Sequence, residues 1–366
     1  MEKKINLLLF FICVLSITTR SQTIKAVVAD QETGESIPYA FVFWANSSTG
    51  TSTDDSGAFQ LDLKENDQNT LVFSHLNYEL LTIELTAQKR LPDTFFLVPS
   101  GVVLGEIKVV GKSRSRIRAR WLKKFKTAFL GTSTEQKSVK ILNPEVLIFK
   151  EEEYMLFAEA SAPLEIENKQ IGYNLDFYLE KFQLDQSTDD LLYKGNAYFK
   201  VLEGNTKELE KYEKNRKQIY QKISRRFFAE LIQKKAKEED YAVGFSALNY
   251  QQREFTNYQP TVFDSIKIRK LEHGKYVIEI RGFFTITCKN EKFSEENPKP
   301  PPTLGFSPRV KVVKKEENRL ATSYLRSKTN QIIVNKYGRI LNALDVEEYG
   351  YWAEQRVAFL LPFDYQ

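Results

Sequence analysis

"GTSTDDSGAFQLDL", residues 50–63, sets two adjacent carboxylates, a glycine and an alternating apolar tail in one short run. Three readings compete: a calcium loop, a catalytic carboxylate pair, or a polar turn that launches a strand. A calcium loop of the EF-hand type takes oxygen ligands at its first, third and fifth positions, glycine at the sixth and glutamate at the twelfth. Counted from Asp54, Ser56 is third and Glu65 twelfth, but Ala58 and Phe59 stand where an oxygen ligand and a glycine are required. Asp54 and Asp55, adjacent on an extended chain, point apart, and no histidine or cysteine is near them in sequence. A turn accounts for every residue. Asp and Ser bond local backbone, Gly57 permits positive φ, and Phe59, Leu61 and Leu63 alternate with Gln60 and Asp62 as one face of a half-buried strand.

Working outward, the flanking sequence has the same character. "TIKAVVA", "IPYAFVFWA", "TLVFSHL", "ELLTIEL", "TFFLV" and "GEIKVVG" are β-type runs, separated by the turn signals "DQETGE", "KENDQN" and "KRLPD". Many short strands at close spacing predict an antiparallel β-sandwich over residues 22–110. Asp30, Thr33-Gly34, Pro38-Tyr39-Ala40, Gly50-Thr51, Gly57-Ala58-Phe59 and the stretch Ser74 to Tyr78 occur in order. On these motifs the region resembles the carboxypeptidase-like regulatory domain, with Asn77 standing where that family commonly has glycine. The resemblance implies a transthyretin-like sandwich of the carbohydrate-binding-like class, acting as a non-catalytic accessory module of exported Gram-negative envelope proteins. No peptidase accompanies it. A zinc carboxypeptidase site needs His-x-x-Glu and a further His, whereas His75 and His273, the only histidines, are followed three residues later by Tyr78 and Tyr276.

The start of the chain bounds the compartment. Lys3 and Lys4 precede an apolar run from Ile5 to Ile17, broken by Asn6 and Ser16, and a polar stretch follows to Gln22. This is the layout of a secretory signal over residues 1–21, with an apolar core shorter than the ~20 residues of a membrane span. Its removal takes Cys13 with it and leaves Cys288 as the one cysteine, in the strand-like "FFTITCKN", so no internal disulfide forms. The formal charge is +5; Lys3, Lys4, Arg20 and Glu2 take two net positive charges with the signal, leaving +3. Residues 22–111 hold five Lys/Arg and twelve Asp/Glu, net −7, so the remainder is +10. That asymmetry favours an anionic partner for the second region, or contact between the two regions.

"KVVGKSRSRIRARWLKKFKTA", from residue 108, carries nine Lys/Arg and no acid. Ile117, Trp121, Phe125 and Phe129 recur at helical spacing, which predicts a basic amphipathic linker helix over 111–131, stopped by Gly131. Arg114, Arg116, Arg118, Arg120, Lys123, Lys124 and Lys126 are the expected contacts to an anionic partner, such as a lipid surface. The plainer alternative is a helix whose apolar stripe docks on its own domain.

Residues 132–366 read as a larger antiparallel β-rich domain with one long helix, a mainly β chain with an α+β second part. Asn205 and Glu208 form a capping box, and Leu209, Tyr212, Ile219, Ile223, Phe227 and Leu231 carry the helix over about 205–239. "NPKPPPTLGFSP" reads as a stiff connection between strands, and "YGYWAEQRVAFLLPFDY" as an aromatic-rich closing segment. This region is similar to one that follows the same sandwich in envelope proteins, a similarity that implies no activity. The chain shows no glycine-rich phosphate loop, no supported Ser-His-Asp arrangement and no series of lipid-facing barrel strands. The expected protein is therefore an exported, non-catalytic envelope module, periplasmic or outer-membrane associated. It is expected to bind an envelope protein, a glycan or an anionic lipid surface, without cofactor, metal or nucleic acid. The alternative is an envelope hydrolase using an Asp/Glu pair in the second domain.

Overall fold

The computed structural model describes residues 22–63, 70–85, 91–100, 112–131, 138–249, 254–293 and 319–365. The expected signal segment, the strand at 105–111, the proline-rich connection and the side chains of Arg114 and His273 lie outside what is described. The chain divides into two units, residues 1–43 with 50–101, and residues 44–49 with 102–366.

In the first unit, alternating apolar residues build seven short strands: β1 (Gln22–Asp30), β2 (Phe41–Trp44), β3 (Gly50–Ser52), β4 (Ala58–Leu63), β5 (Thr70–Ser74), β6 (Leu81–Glu84) and β7 (Thr94–Leu97). They form two sheets, β4-β1-β7 and β3-β2-β5-β6. Ile24, Val28, Phe59, Leu61 and Phe95 of the first sheet and Val42, Phe43, Leu71 and Phe73 of the second are buried. Phe73 of the second sheet packs on the first, with ring centroids 5.8 Å from Phe59 and 4.6 Å from Phe95. The expected antiparallel pairing holds for β1–β4, β2–β3 and β5–β6. β7 departs from it by joining β1 in parallel, because the chain crosses from one sheet to the other after β6 and re-enters in the direction of β1.

The second unit begins with α1 (Lys112–Leu130), followed by β8 (Val139–Ile141), β9 (Leu147–Glu152), β10 (Met155–Ala160), β11 (Leu164–Asn168), β12 (Tyr173–Asp185) and β13 (Leu191–Val201). The long strand β12 organises a six-stranded sheet: β13 runs along one edge, and β11 and β10 share the other. Phe125 and Phe129 of α1 are fully buried against Phe177 and Phe182 of β12. The basic segment is thus an integral layer of its own domain.

Then come α2 (Thr206–Lys222), α3 (Ser224–Ile232), β14 (Tyr241–Asn249), β15 (Glu254–Thr261), β16 (Ile268–Lys270), β17 (Lys275–Glu279), β18 (Phe283–Phe293), β19 (Arg319–Ser327), β20 (Gln331–Asn335) and β21 (Val346–Gly350). A five-stranded sheet, β15-β14-β18-β19-β21, and a three-stranded sheet, β16-β17-β20, enclose a second core. The capping box at Asn205 and Glu208 is present. The single helix expected over 205–239 is instead two helices, broken at Ile223, whose φ of −84° and ψ of 152° are extended, and ending at Ile232. The reason is that Ile219 belongs to the first core, whereas Phe227, Phe228 and Leu231 belong to the second. The Lys222 carbonyl freed at the break accepts from Trp352 Nε1 at 3.0 Å and Gln355 Nε2 at 3.1 Å.

The closing segment serves both cores: Trp352 enters the second, and Val357, Ala358, Phe359 and Leu361 enter the first. Buried Arg225 donates to the carbonyls of Pro362 at 3.1 Å and Tyr365 at 2.9 Å. Gly338, at φ +78°, lets the turn after β20 meet the α3 backbone, where a Cβ would lie 2.0 Å from the Arg225 carbonyl oxygen. Gly338→Ala is therefore expected to destabilise the second unit by about 2–4 kcal/mol, read as a lowered urea midpoint of tryptophan fluorescence.

Candidate functional site

The 53–57 connection is a turn in every contact. Asp54 Oδ1 accepts from the Ser56 N–H at 2.9 Å, the Ser56 hydroxyl at 2.7 Å and the Ala58 N–H at 3.0 Å. The Ser56 hydroxyl and then the Ala58 amide hold this carboxyl below its ordinary range. Asp55 accepts from the Tyr39 hydroxyl. Gly57 has φ +73°, and a Cβ there would come within 2.7 Å of the Val28 carbonyl oxygen. Both carboxylates are thus engaged by local groups, one by its own turn and one by a tyrosine.

Asp30 and His75 of the sandwich are likewise committed to its fold. Asp30 ends β1 and accepts from the Glu32 N–H at 2.7 Å, the Thr33 N–H at 2.9 Å and the Tyr78 hydroxyl at 2.8 Å. The Thr33 amide, followed by Tyr78, holds the Asp30 carboxyl below the usual range. His75 packs edge-on against Tyr78, its Nδ1 accepts from the Asn77 N–H at 3.3 Å, and burial pushes its pKa down. In the second unit, Cys288 is buried on β18 and its thiol is pushed up to about 12 by burial, which leaves a poor nucleophile at neutral pH. Among the described residues, no group of three His, Cys, Asp or Glu is placed to hold a metal ion.

The seven basic residues expected to meet an anionic partner divide on α1. Arg118 turns inward, donating to the carbonyls of Leu147 at 2.7 Å and Pro144 at 2.9 Å, with its guanidinium 5.5 Å from the Phe149 ring centre. Arg120 pairs with Glu151 at 3.1 Å, and Lys124 donates to Gln186. Gln186 in turn donates to Glu151 at 2.8 Å and is the main cause of its lowered pKa. Lys126 is half-buried, while Arg116 and Lys123 are exposed. Among the described side chains, what this helix offers an anion is therefore mainly Arg116 and Lys123. Periodicity alone did not distinguish them from Arg118, because the carbonyls that Arg118 satisfies come from the 144–147 turn, some thirty residues on in the chain. Among the described residues, no helix is long and apolar enough to cross a membrane.

Carboxylates of the second unit gather where β21 lies beside β19. Glu347 accepts from Arg326 at 2.6 Å and from the Tyr349 hydroxyl at 3.0 Å. Burial pushes the carboxyls of Asp190 and Glu348 up, with Asp185 and Glu347 adding to the effect on Asp190 and Arg356 opposing it at Glu348. Beside this group, Phe255 stacks on Tyr324 at 3.6 Å and meets Phe283 edge-on at 5.0 Å. A shallow depression on α2 is lined by Leu209, Glu210, Glu213, Lys214 and Lys217, a mixed-charge helix face.

Two outcomes test these assignments. Phe129→Ala should cost about 3–5 kcal/mol of stability, whereas Arg116→Glu with Lys123→Glu should stay within about 0.5 kcal/mol, both read by chemical denaturation. Asp30 has a depressed pKa in the fold, so its contribution is present above the unfolded carboxylate value and is lost as pH falls through the folded one. Tyr78→Phe removes one donor to that carboxylate. The acid-unfolding midpoint of the sandwich should then move to higher pH, measured by circular dichroism against pH.

Against known proteins, residues 24–109 match the family model of the CarboxypepD_reg-like domain. No curated protein and no solved structure matches the chain. The matched span covers the strands β1 to β7 and the turn at Asp54. The N-terminal unit of this protein is a CarboxypepD_reg-like domain.

Proposed function

We propose that the chain is an exported, non-catalytic scaffold of the cell envelope that holds a protein partner. The observation that carries this reading is the use of its reactive side chains. Asp30, Asp54 and His75 of the sandwich are each bonded or packed into the fold. Cys288 is buried with a raised pKa. The match of residues 24–109 to the CarboxypepD_reg-like domain supports the same conclusion, since that domain is a regulatory or binding module. Export is supported by Lys3, Lys4 and the apolar run that follows them.

The test is capture of the tagged chain from detergent-solubilised envelopes, together with assays on model glycosides and esters. The expected result is a stoichiometric protein partner and no hydrolysis. Retention of a glycan or of anionic vesicles instead would redirect the reading to that ligand, and turnover of a glycoside would sink it.

A further inference from the structure

One end of the sandwich collects four connections. Residues 31–40, 53–57, 75–80 and 98–100 adjoin the ends of β1, β3, β5 and β7 and the starts of β2, β4 and β6. The strand registers bring these ends together: Val27 opposite Ala58, Asp30 beside Leu97, Phe41 opposite Ser52, and Phe73 opposite Leu81. The Tyr78 hydroxyl on Asp30 and the bridge between Tyr78 and Pro99 join the two sheets there.

Large apolar side chains stand in water at this end. Tyr39 is 69% exposed, Leu76 72% and Val98 40%, and Phe96, near the end of β7, is 51% exposed. Tyr39 is also held outward. Its φ is +58°, a region that a bulky residue enters only when its surroundings enforce it. Here the Tyr39 N–H donates to the Thr53 carbonyl at 3.1 Å and its hydroxyl donates to Asp55. A ring fixed in this way loses little freedom on meeting a partner.

The charges on these connections have one sign. Glu32, Glu35, Asp55 and Glu79 are exposed on the same connections as these side chains. Lys25, midway along β1, is the only lysine or arginine among the described residues of the unit. The nearby His75 adds no positive charge at neutral pH, since burial pushes its pKa down. Apolar anchors on connections that also carry exposed carboxylates repel phosphate-bearing surfaces and select a complementary cation.

We infer that this loop end docks a cationic, partly apolar segment of a protein partner, with Tyr39 and Leu76 as anchors and Glu32, Glu35 and Glu79 as the charged groups. The inference rests on the scaffold reading above and names its partner's chemistry. It predicts a segment in which Lys or Arg residues alternate with large apolar ones.

Selection of displayed random peptides on the full exported chain tests it. Enriched peptides should combine Lys or Arg with Leu, Phe or Trp. Their affinity should fall about tenfold when NaCl rises from about 0.05 M to about 0.5 M. Leu76→Ser and Tyr39→Asn, the latter compatible with the left-handed backbone, should each weaken binding about tenfold. Unchanged melting curves would show that these exposed positions leave the fold intact. Acidic or uncharged enriched peptides, no enrichment, or equal binding to the combined Tyr39→Asn, Leu76→Ser, Glu79→Lys variant would overturn the inference. An envelope partner retained by that combined variant would overturn this docking site and leave the scaffold reading standing. Glycoside turnover with peptide binding intact would do the reverse.

Discussion

The carbonyl of Lys222 is where the second unit is tied together. It accepts from Trp352 and Gln355, and so fixes the closing segment to the break between two helices. On one side of that break Ile219 packs into the core of the six-stranded sheet, and on the other Phe227 and Phe228 pack into the core of the five-stranded sheet. A straight helix points all its apolar side chains along one stripe. Two cores in different directions therefore need a bend, and a bend exposes a carbonyl that must find a donor. The aromatic indole and the amide that supply it arrive from the far end of the sequence. Arg225 completes the arrangement from the first turn of the second helix, binding the carbonyls of Pro362 and Tyr365.

This economy of polar groups bears on function. Protein interiors tolerate a buried carbonyl or carboxylate when it is bonded, and among the described residues several polar side chains are used to hold the fold. Asp30 and Asp54 terminate or turn strands, Arg118 satisfies a turn, and Arg326 and Tyr349 hold Glu347. The most exposed large apolar side chains of the sandwich, Tyr39 and Leu76, lie on its connections, where the backbone is solvated.

Much of the first unit was legible in the residues. The alternation of Phe59, Leu61 and Leu63 with polar neighbours defines a strand face, and Asp54 with Gly57 defines the turn before it. Both are local effects, set by side chains reaching backbone two to four residues away. The parallel entry of β7 was not legible, since pairing direction depends on where the chain crosses between sheets. On α1 the apolar stripe was readable and its docking was among the alternatives. The split of its cations into bonded and exposed members was not, because Leu147 and Glu151 are remote in sequence. The break at Ile223 was hidden by an unbroken 3- and 4-residue periodicity that serves two different cores.

By itself, the sequence determined the strands, turns and caps, along with the charge imbalance between the two regions, because these follow from periodicity and from contacts a few residues long. Only the tertiary structure decided which cations are occupied, where the long helix divides, and which apolar side chains remain in water. Those outcomes depend on groups that are remote in sequence, 29 residues apart for Arg118 and Leu147 and 130 for Lys222 and Trp352, meeting at the same carbonyl or the same core. The opening stretch illustrates both: its turn was readable from Asp54 and Gly57. That Asp55 would hold the ring of Tyr39 outward required the fold to bring the two together.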